Sequence, residues 1–170
     1  MLLQILTYTH RLTTMLFGIF LSAFFLGVKQ NKKNVCILLG GGAVSGLFFL
    51  ICNTVFGSLF TEAVYPIFVH LPLFLLLVFY YRFRWLPSII SIMTAYLCCQ
   101  FSNWAGIFAL SLSGLDWVYY LVRIIVTVAV FAFLSRYLCQ TTALLLAKSN
   151  RELYILLSLI HISEPTRLGM

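Results

Sequence analysis

The chain has 170 residues, of which 62% are hydrophobic, 16% aromatic and only 9% charged, and its mean hydropathy is +1.04. A soluble domain is closer to half apolar and one quarter charged, so this composition excludes an ordinary soluble protein and indicates a polytopic membrane protein. The net charge of +7 comes from short basic clusters between apolar runs rather than from one basic surface, so we expect no nucleic-acid partner.

Five apolar runs are long enough to cross a hydrocarbon core of about 30 Å, which takes roughly 20 helical residues. Each run should be α-helical, because unpaired backbone groups are costly in lipid. We therefore predict an all-α polytopic membrane helix bundle of five complete transmembrane helices, with a truncated sixth from residue 153. The predicted spans cover residues of about 12–28, 35–56, 63–81, 88–112 and 117–138.

The loops between the predicted spans alternate in charge. The basic residues fall after spans one, three and five, whereas residues 57–62 and 113–116 carry acid or no charge. Because basic loops stay in the cytoplasm, the pattern predicts a multi-pass protein of the cell membrane with its N-terminus outside. Arg11 is the one basic residue on the unexpected side. The residues that set this orientation are Lys29, Lys32, Lys33, Arg82, Arg84, Arg136, Lys148 and Arg151.

Small residues lie within the second predicted span. Gly42 and Gly46 are four residues apart, a spacing that lets another helix approach closely. The partner helix is either a neighbouring span of the same chain or the same span of a second copy, and the sequence leaves both interpretations open.

The third predicted span contains His70 and Pro72. A proline this deep in a helix removes one backbone hydrogen bond and should produce a kink, which frees the carbonyl of Phe68. His70 lies beside that break, where its ring can bond to a freed group. An ionisable residue within a span is also a functional hypothesis by default.

The last two predicted spans carry four further polar candidates. Gln100 and Asn103 are three residues apart and share one helix face, so we expect them to bond to polar groups of other helices, such as Asn53. Arg123 lies roughly two turns into span five, and Asp116 precedes it by seven residues on nearly the same face. We expect Arg123 to extend towards the outer surface and Asp116.

No nucleotide-binding loop, nucleophile motif or metal-spaced cluster is present, so we predict no catalytic, cofactor-binding or metal residue. The candidates are instead residues for sensing or for polar contacts within the membrane. They are His70, Pro72, Gln100, Asn103, Asp116 and Arg123.

Four short stretches resemble the membrane sensor region of bacterial sensor histidine kinases of the GHKL-ATPase type. They are residues 65–72 (YPIFVHLP), 95–100 (AYLCCQ), 103–104 (NW) and 147–154 (AKSNRELY), and the likeness covers roughly residues 60–156. The resemblance implies that several spans precede a cytoplasmic dimerisation helix, a phosphoaccepting histidine and an ATP-binding domain. It therefore implies a homodimeric parent that uses ATP and Mg²⁺ and acts on a response regulator, with the kinase domain missing here.

The C-terminal tail resembles translated adapter DNA. Residues 157–167 (LSLIHISEPTR) match, codon for codon, one reading frame of a transposase-type sequencing-library adapter. We therefore divide the chain into a transmembrane sensor region, residues 1–156, and an adapter-derived tail, residues 157–170.

The leading functional hypothesis is the signal-sensing portion of a two-component sensor histidine kinase. By itself this portion would be no enzyme, whereas its parent would be a histidine kinase. The alternative is a small integral-membrane transporter or a substrate-binding membrane subunit, whose polar residues would form a site near the midplane. A structural membrane protein without a ligand is the third possibility.

Overall fold

The computed structural model describes residues 2–57, 67, 69–147, 155 and 158, and all regular secondary structure in that part of the chain is helical. The predicted all-α class is therefore confirmed there. Of the predicted tail, only Ser158 is described, and it is helical. The helices are α1 (Leu2–Phe25), α2 (Lys32–Phe56), α3 (Val69–Tyr80), α4 (Trp85–Ser113), α5 (Asp116–Tyr137) and α6 (Cys139–Leu146).

The prediction of five complete spans is not supported, because three of the described helices are long and apolar enough to cross a membrane. These are α2, α4 and α5, with 25, 29 and 22 residues. Helix α1 has 24 residues, but its first half carries His10, Arg11 and several threonines, which lower its hydropathy. Helix α3 is described without a gap from Val69 onwards and is shorter. The start of predicted span three, residues 63–66, lies outside the described residues.

Helix ends are fixed by local polar chemistry. Asn31 precedes α2, and its Oδ1 accepts a hydrogen bond of 2.8 Å from the backbone N–H of Asn34. Helix α4 ends at Gly114, whose φ of 67° is left-handed and whose N–H donates to the carbonyl of Leu110 at 2.8 Å. Because of these two caps, the connections from α1 to α2 and from α4 to α5 are short, and the helices that they join pack as neighbours.

Helix α1 lies at the centre of the packing. Its C-terminal half is almost wholly buried, with Leu21 and Ala23 fully inaccessible. Phe17 and Phe24 both contact the Phe131 ring of α5, while His10 contacts Tyr120, so α1 and α5 run in the same direction. Helix α4 runs in the opposite direction, because its early Ser91 donates to the late Ser22 carbonyl of α1 at 2.5 Å.

The small residues of α2 face α1. A Cβ placed on Gly42 would stand 3.1 Å from Ile19 Cδ1, and one on Gly46 would stand 3.7 Å from Met15 Cε. The close approach allowed by this pair is therefore used within the chain. Dimerisation through the same glycines stays a prediction.

Helix α3 departs from α-helical geometry four residues after Pro72. Residues Leu76–Tyr80 are π-helical, and the N–H of Tyr81 closes this turn on the Leu76 carbonyl at 3.2 Å. Wide turns of this kind are rare and occur often at functional sites. The carbonyl of Phe68, which Pro72 leaves free, lies outside the described residues, so the kink itself stays a prediction.

The connections carrying the basic clusters lie together at one end of the bundle. Gly27 approaches Ala143 of α6, and Leu26, Arg82, Ala143 and Leu146 line one common cavity. We call this the basic end; its charged residues are Lys29, Lys32, Lys33, Arg82, Arg84 and Arg136. The opposite end contains the starts of α1 and α5 and the end of α4.

Candidate functional site

Arg123 is the centre of a polar cluster at the end opposite the basic end. It follows Tyr119 by one helical turn on α5, and the two side chains therefore share a face. The Arg123 guanidinium carbon lies 5.0 Å from the centroid of the Tyr119 ring, and Nη1 donates a hydrogen bond to the Tyr119 hydroxyl. The charge is thus held by one aromatic ring through both its π face and its oxygen.

Tyr119 links this arginine to α4. Its hydroxyl lies 3.4 Å from Oδ1 of Asn103, a long hydrogen bond in which tyrosine donates and the amide oxygen accepts. A continuous chain therefore runs from Arg123 through Tyr119 to Asn103 and joins two of the membrane-length helices. We call these three residues the arginine chain.

Gly106 allows the arginine chain to lie flat against α4. A Cβ on Gly106 would stand 2.8 Å from Arg123 Cδ and 3.1 Å from Tyr119 Cδ2, and closer still to Arg123 Cγ. Any side chain here would displace the arginine stem. Sequence reasoning missed Gly106, although its position one turn after Asn103 places it on the same helix face.

Helix α1 contributes His10, which the sequence prediction also missed because it precedes the first predicted span. The His10 side chain is 6% exposed, and its ring centroid lies 6.0 Å from that of Tyr120. Its Nδ1 lies 3.3 Å from Thr14 Oγ1, one turn along α1. The His10–Tyr120 contact places α1 beside α5 one residue along from Tyr119 of the arginine chain.

Two donors on one face of α5 have no hydrogen-bond partner among the described residues. They are Nε of Arg123 and the hydroxyl of Thr127, both of which are buried. Thr127 follows Arg123 by one turn and is 2% exposed. An unsatisfied polar group in apolar surroundings costs free energy, so this face has unused capacity to bind a hydrogen-bond acceptor. An acceptor carrying negative charge would also complement the guanidinium.

Asp116 does not join the arginine chain. It is exposed in the first turn of α5, and no ion pair connects it with Arg123 within the described residues. Asn103 bonds to Tyr119 of α5 instead of Asn53, and the side chain of half-buried Gln100 forms no hydrogen bond in the described structure. Of the six sequence candidates, the structure therefore brings two together, Asn103 and Arg123.

His70 and Pro72 lie on α3, apart from the arginine chain. The His70 ring meets the Tyr96 ring of α4 edge-on at 5.9 Å, and its buried Nδ1 has no hydrogen-bond partner in the described part of the chain. Pro72 lines a cavity of about 20 Å³ together with Gly41 and Ser45 of α2. That volume accommodates about one water molecule. No group of three potential metal ligands occurs within the described residues.

Comparison with known proteins identified no relative of this chain. No protein-family profile, no curated protein and no solved structure matches it.

Proposed function

We propose that the chain is the membrane-embedded signal-sensing portion of a two-component sensor histidine kinase. The observation that carries this proposal is the arginine chain, which links two membrane-length helices through a charged residue. An ionisable residue in such a position is costly to maintain, which favours a functional role. The resemblance of residues 60–156 to sensor regions of this class supports the same assignment.

The proposed signal is an acceptor group that competes with Tyr119 for Arg123. The two buried donors without partners, Arg123 Nε and Thr127 Oγ1, would stabilise that group once it arrives. Loss of the Tyr119 contact would release Arg123 from the surface around Gly106 and change how α5 packs against α4. Helix α5 leads directly to Arg136 and α6 at the basic end, so a shift of this helix would be transmitted across the bundle.

The proposed orientation places the arginine chain towards the outside and the basic end in the cytoplasm. It rests on the six described basic residues of the basic end and on the preference of such clusters for the cytoplasmic side. A kinase domain that binds ATP and Mg²⁺ would then follow in the parent protein, which would act on a response regulator.

Sequencing of the genomic locus from a library made without the transposase adapter tests this proposal. We expect the reading frame to leave the present sequence near residue 156 and to continue into an ATP-binding kinase domain. Recovery of the codons for residues 157–170, continuous with genomic DNA on both sides, would exclude the adapter interpretation. A stop codon soon after a sixth span would exclude the kinase parent.

The same unpartnered donors favour a second candidate, a small transporter or substrate-binding membrane subunit. In such proteins polar groups within the spans bind the substrate directly. The two proposals differ in the effect of Arg123→Gln in the full-length parent. A sensor would retain autophosphorylation but lose its response to the signal, whereas a transporter would lose uptake and have no autophosphorylation.

A further inference from the structure

A cavity opens at the basic end of the bundle, apart from the arginine chain. Its volume is about 240 Å³, and it lies between the end of α1, the connection from α3 to α4, and α6. Its lining combines the arginines Arg82 and Arg84 with apolar residues, which are Leu26, Phe83, Pro87, Ala143, Leu146 and Ala147. Leu26, Pro87 and Leu146 are buried, whereas both arginines are exposed at the rim.

The backbone at this rim is held in an unusual conformation. Arg82 has a φ of 57°, in the left-handed region that residues other than glycine rarely occupy. The neighbouring N–H groups of Tyr81 and Phe83 bond back to the carbonyls of Leu76 and Leu77 at 3.2 and 3.1 Å, which fixes the connection on both sides. Strained backbone that the surrounding structure maintains in this way often occurs at binding sites.

The charge around the cavity is positive. Lys29, Lys32 and Arg136 lie at the same end, and Asp116, which is the one acidic residue among those described, begins α5 at the opposite end. The cavity therefore combines a cationic rim with an apolar interior. Exposed Tyr80 and Trp85 flank it, and such rings prefer the headgroup level of a bilayer.

We propose that this cavity binds an anionic phospholipid, with the phosphodiester on Arg82 and Arg84. The glycerol and first acyl carbons would lie against Leu26, Pro87 and Leu146. Guanidinium groups bind phosphate oxygens in bidentate geometry, and basic pockets between membrane helices suit lipid headgroups. The apolar wall favours a lipid over free phosphate, because a free anion would leave that surface uncovered.

Binding of phosphatidylglycerol to the purified full chain, measured by native mass spectrometry, tests this site. The variant is Arg82→Gln with Arg84→Gln, and the matched control is Lys32→Gln with Arg136→Gln, which removes the same charge at the same end outside the cavity. We expect the apparent affinity to fall about twenty-five-fold in the variant, since each of the two basic contacts contributes roughly a factor of five. The control should lose no more than about twofold. Equal losses in the two pairs would overturn the proposal.

A second variant tests the cavity without changing its charge. Ala147→Trp places a large side chain at the cavity wall and should abolish the preference for phosphatidylglycerol over phosphatidylcholine. Because this variant retains both arginines, it still tests whether the cavity binds the lipid if the arginine variant does not fold. Retention of the preference in Ala147→Trp would overturn the proposal. Displacement of the lipid by millimolar inorganic phosphate would indicate a free-anion site and would also overturn it.

Discussion

Gly106 determines how closely Arg123 approaches α4. We expect Gly106→Ala to destabilise the bundle by about 1–3 kcal/mol, because the new methyl group would overlap the arginine stem and force it from its place. Equilibrium unfolding in mixed detergent micelles measures this loss. Gly40→Ala is the control, since nothing lies within 4 Å of the Cβ it adds, and it should be neutral or stabilise by up to about 1 kcal/mol. Similar effects at both positions would contradict the packing argument.

Arg82 places a charged group at the basic end, but its strained backbone lowers the stability of the fold. Glycine adopts its left-handed backbone without strain, so Arg82→Gly should raise stability by up to about 1 kcal/mol while weakening phosphatidylglycerol binding. Arg82→Ala is the matched control, because it also removes the guanidinium but keeps a Cβ in the left-handed backbone. It should weaken lipid binding without the gain in stability. Thermal unfolding with and without the lipid separates the two effects, and an equal stability gain in Arg82→Ala would contradict the strain argument.

At the scale of the helices, α3 is the element whose geometry is least regular. Pro72→Ala restores a backbone N–H within α3, so we expect a straighter helix and altered signalling in the full-length parent with little change in membrane insertion. Insertion is measured by the amount of protein in washed membranes, and signalling by autophosphorylation of the parent. A variant that signals normally would show that the kink at Pro72 is tolerated and does not contribute to signalling.

The all-helical class could be predicted, because apolar length is a local property, whereas five complete spans are not supported, because the polar first half of α1 lowers its hydropathy and α3 is shorter. The end of α4 at Gly114 and the start of α2 after Asn31 follow from local backbone chemistry. The site could be predicted only in part. Tyr119 and Asp116 lie on nearly the same face as Arg123, and the choice between them depends on Gly106 of another helix. His10 lay outside the predicted spans, so only its tertiary contacts identify it.

For the whole molecule, the basic end predicts an orientation in the membrane that labelling can test directly. In a background without the five native cysteines, a cysteine at exposed Gln30 should be shielded from an impermeant thiol reagent in intact cells. A cysteine at exposed Ser113, which ends α4 at the opposite side, should be labelled. Permeabilised cells should label both positions. Labelling of the Gln30 variant alone in intact cells would reverse the orientation.

Helix α1 lies at the centre of the bundle, yet it is not apolar enough to count among the candidate membrane spans. Helix α1 provides more buried hydrophobic residues than any other described helix, yet its polar first half makes it a poor substrate for insertion into lipid by itself. Its burial depends on α4 and α5, which are synthesised roughly a hundred residues later. We therefore expect membrane insertion to be ordered against the direction of translation: α1 remains at the membrane interface until the later, more apolar helices α4 and α5 have inserted and packed around it.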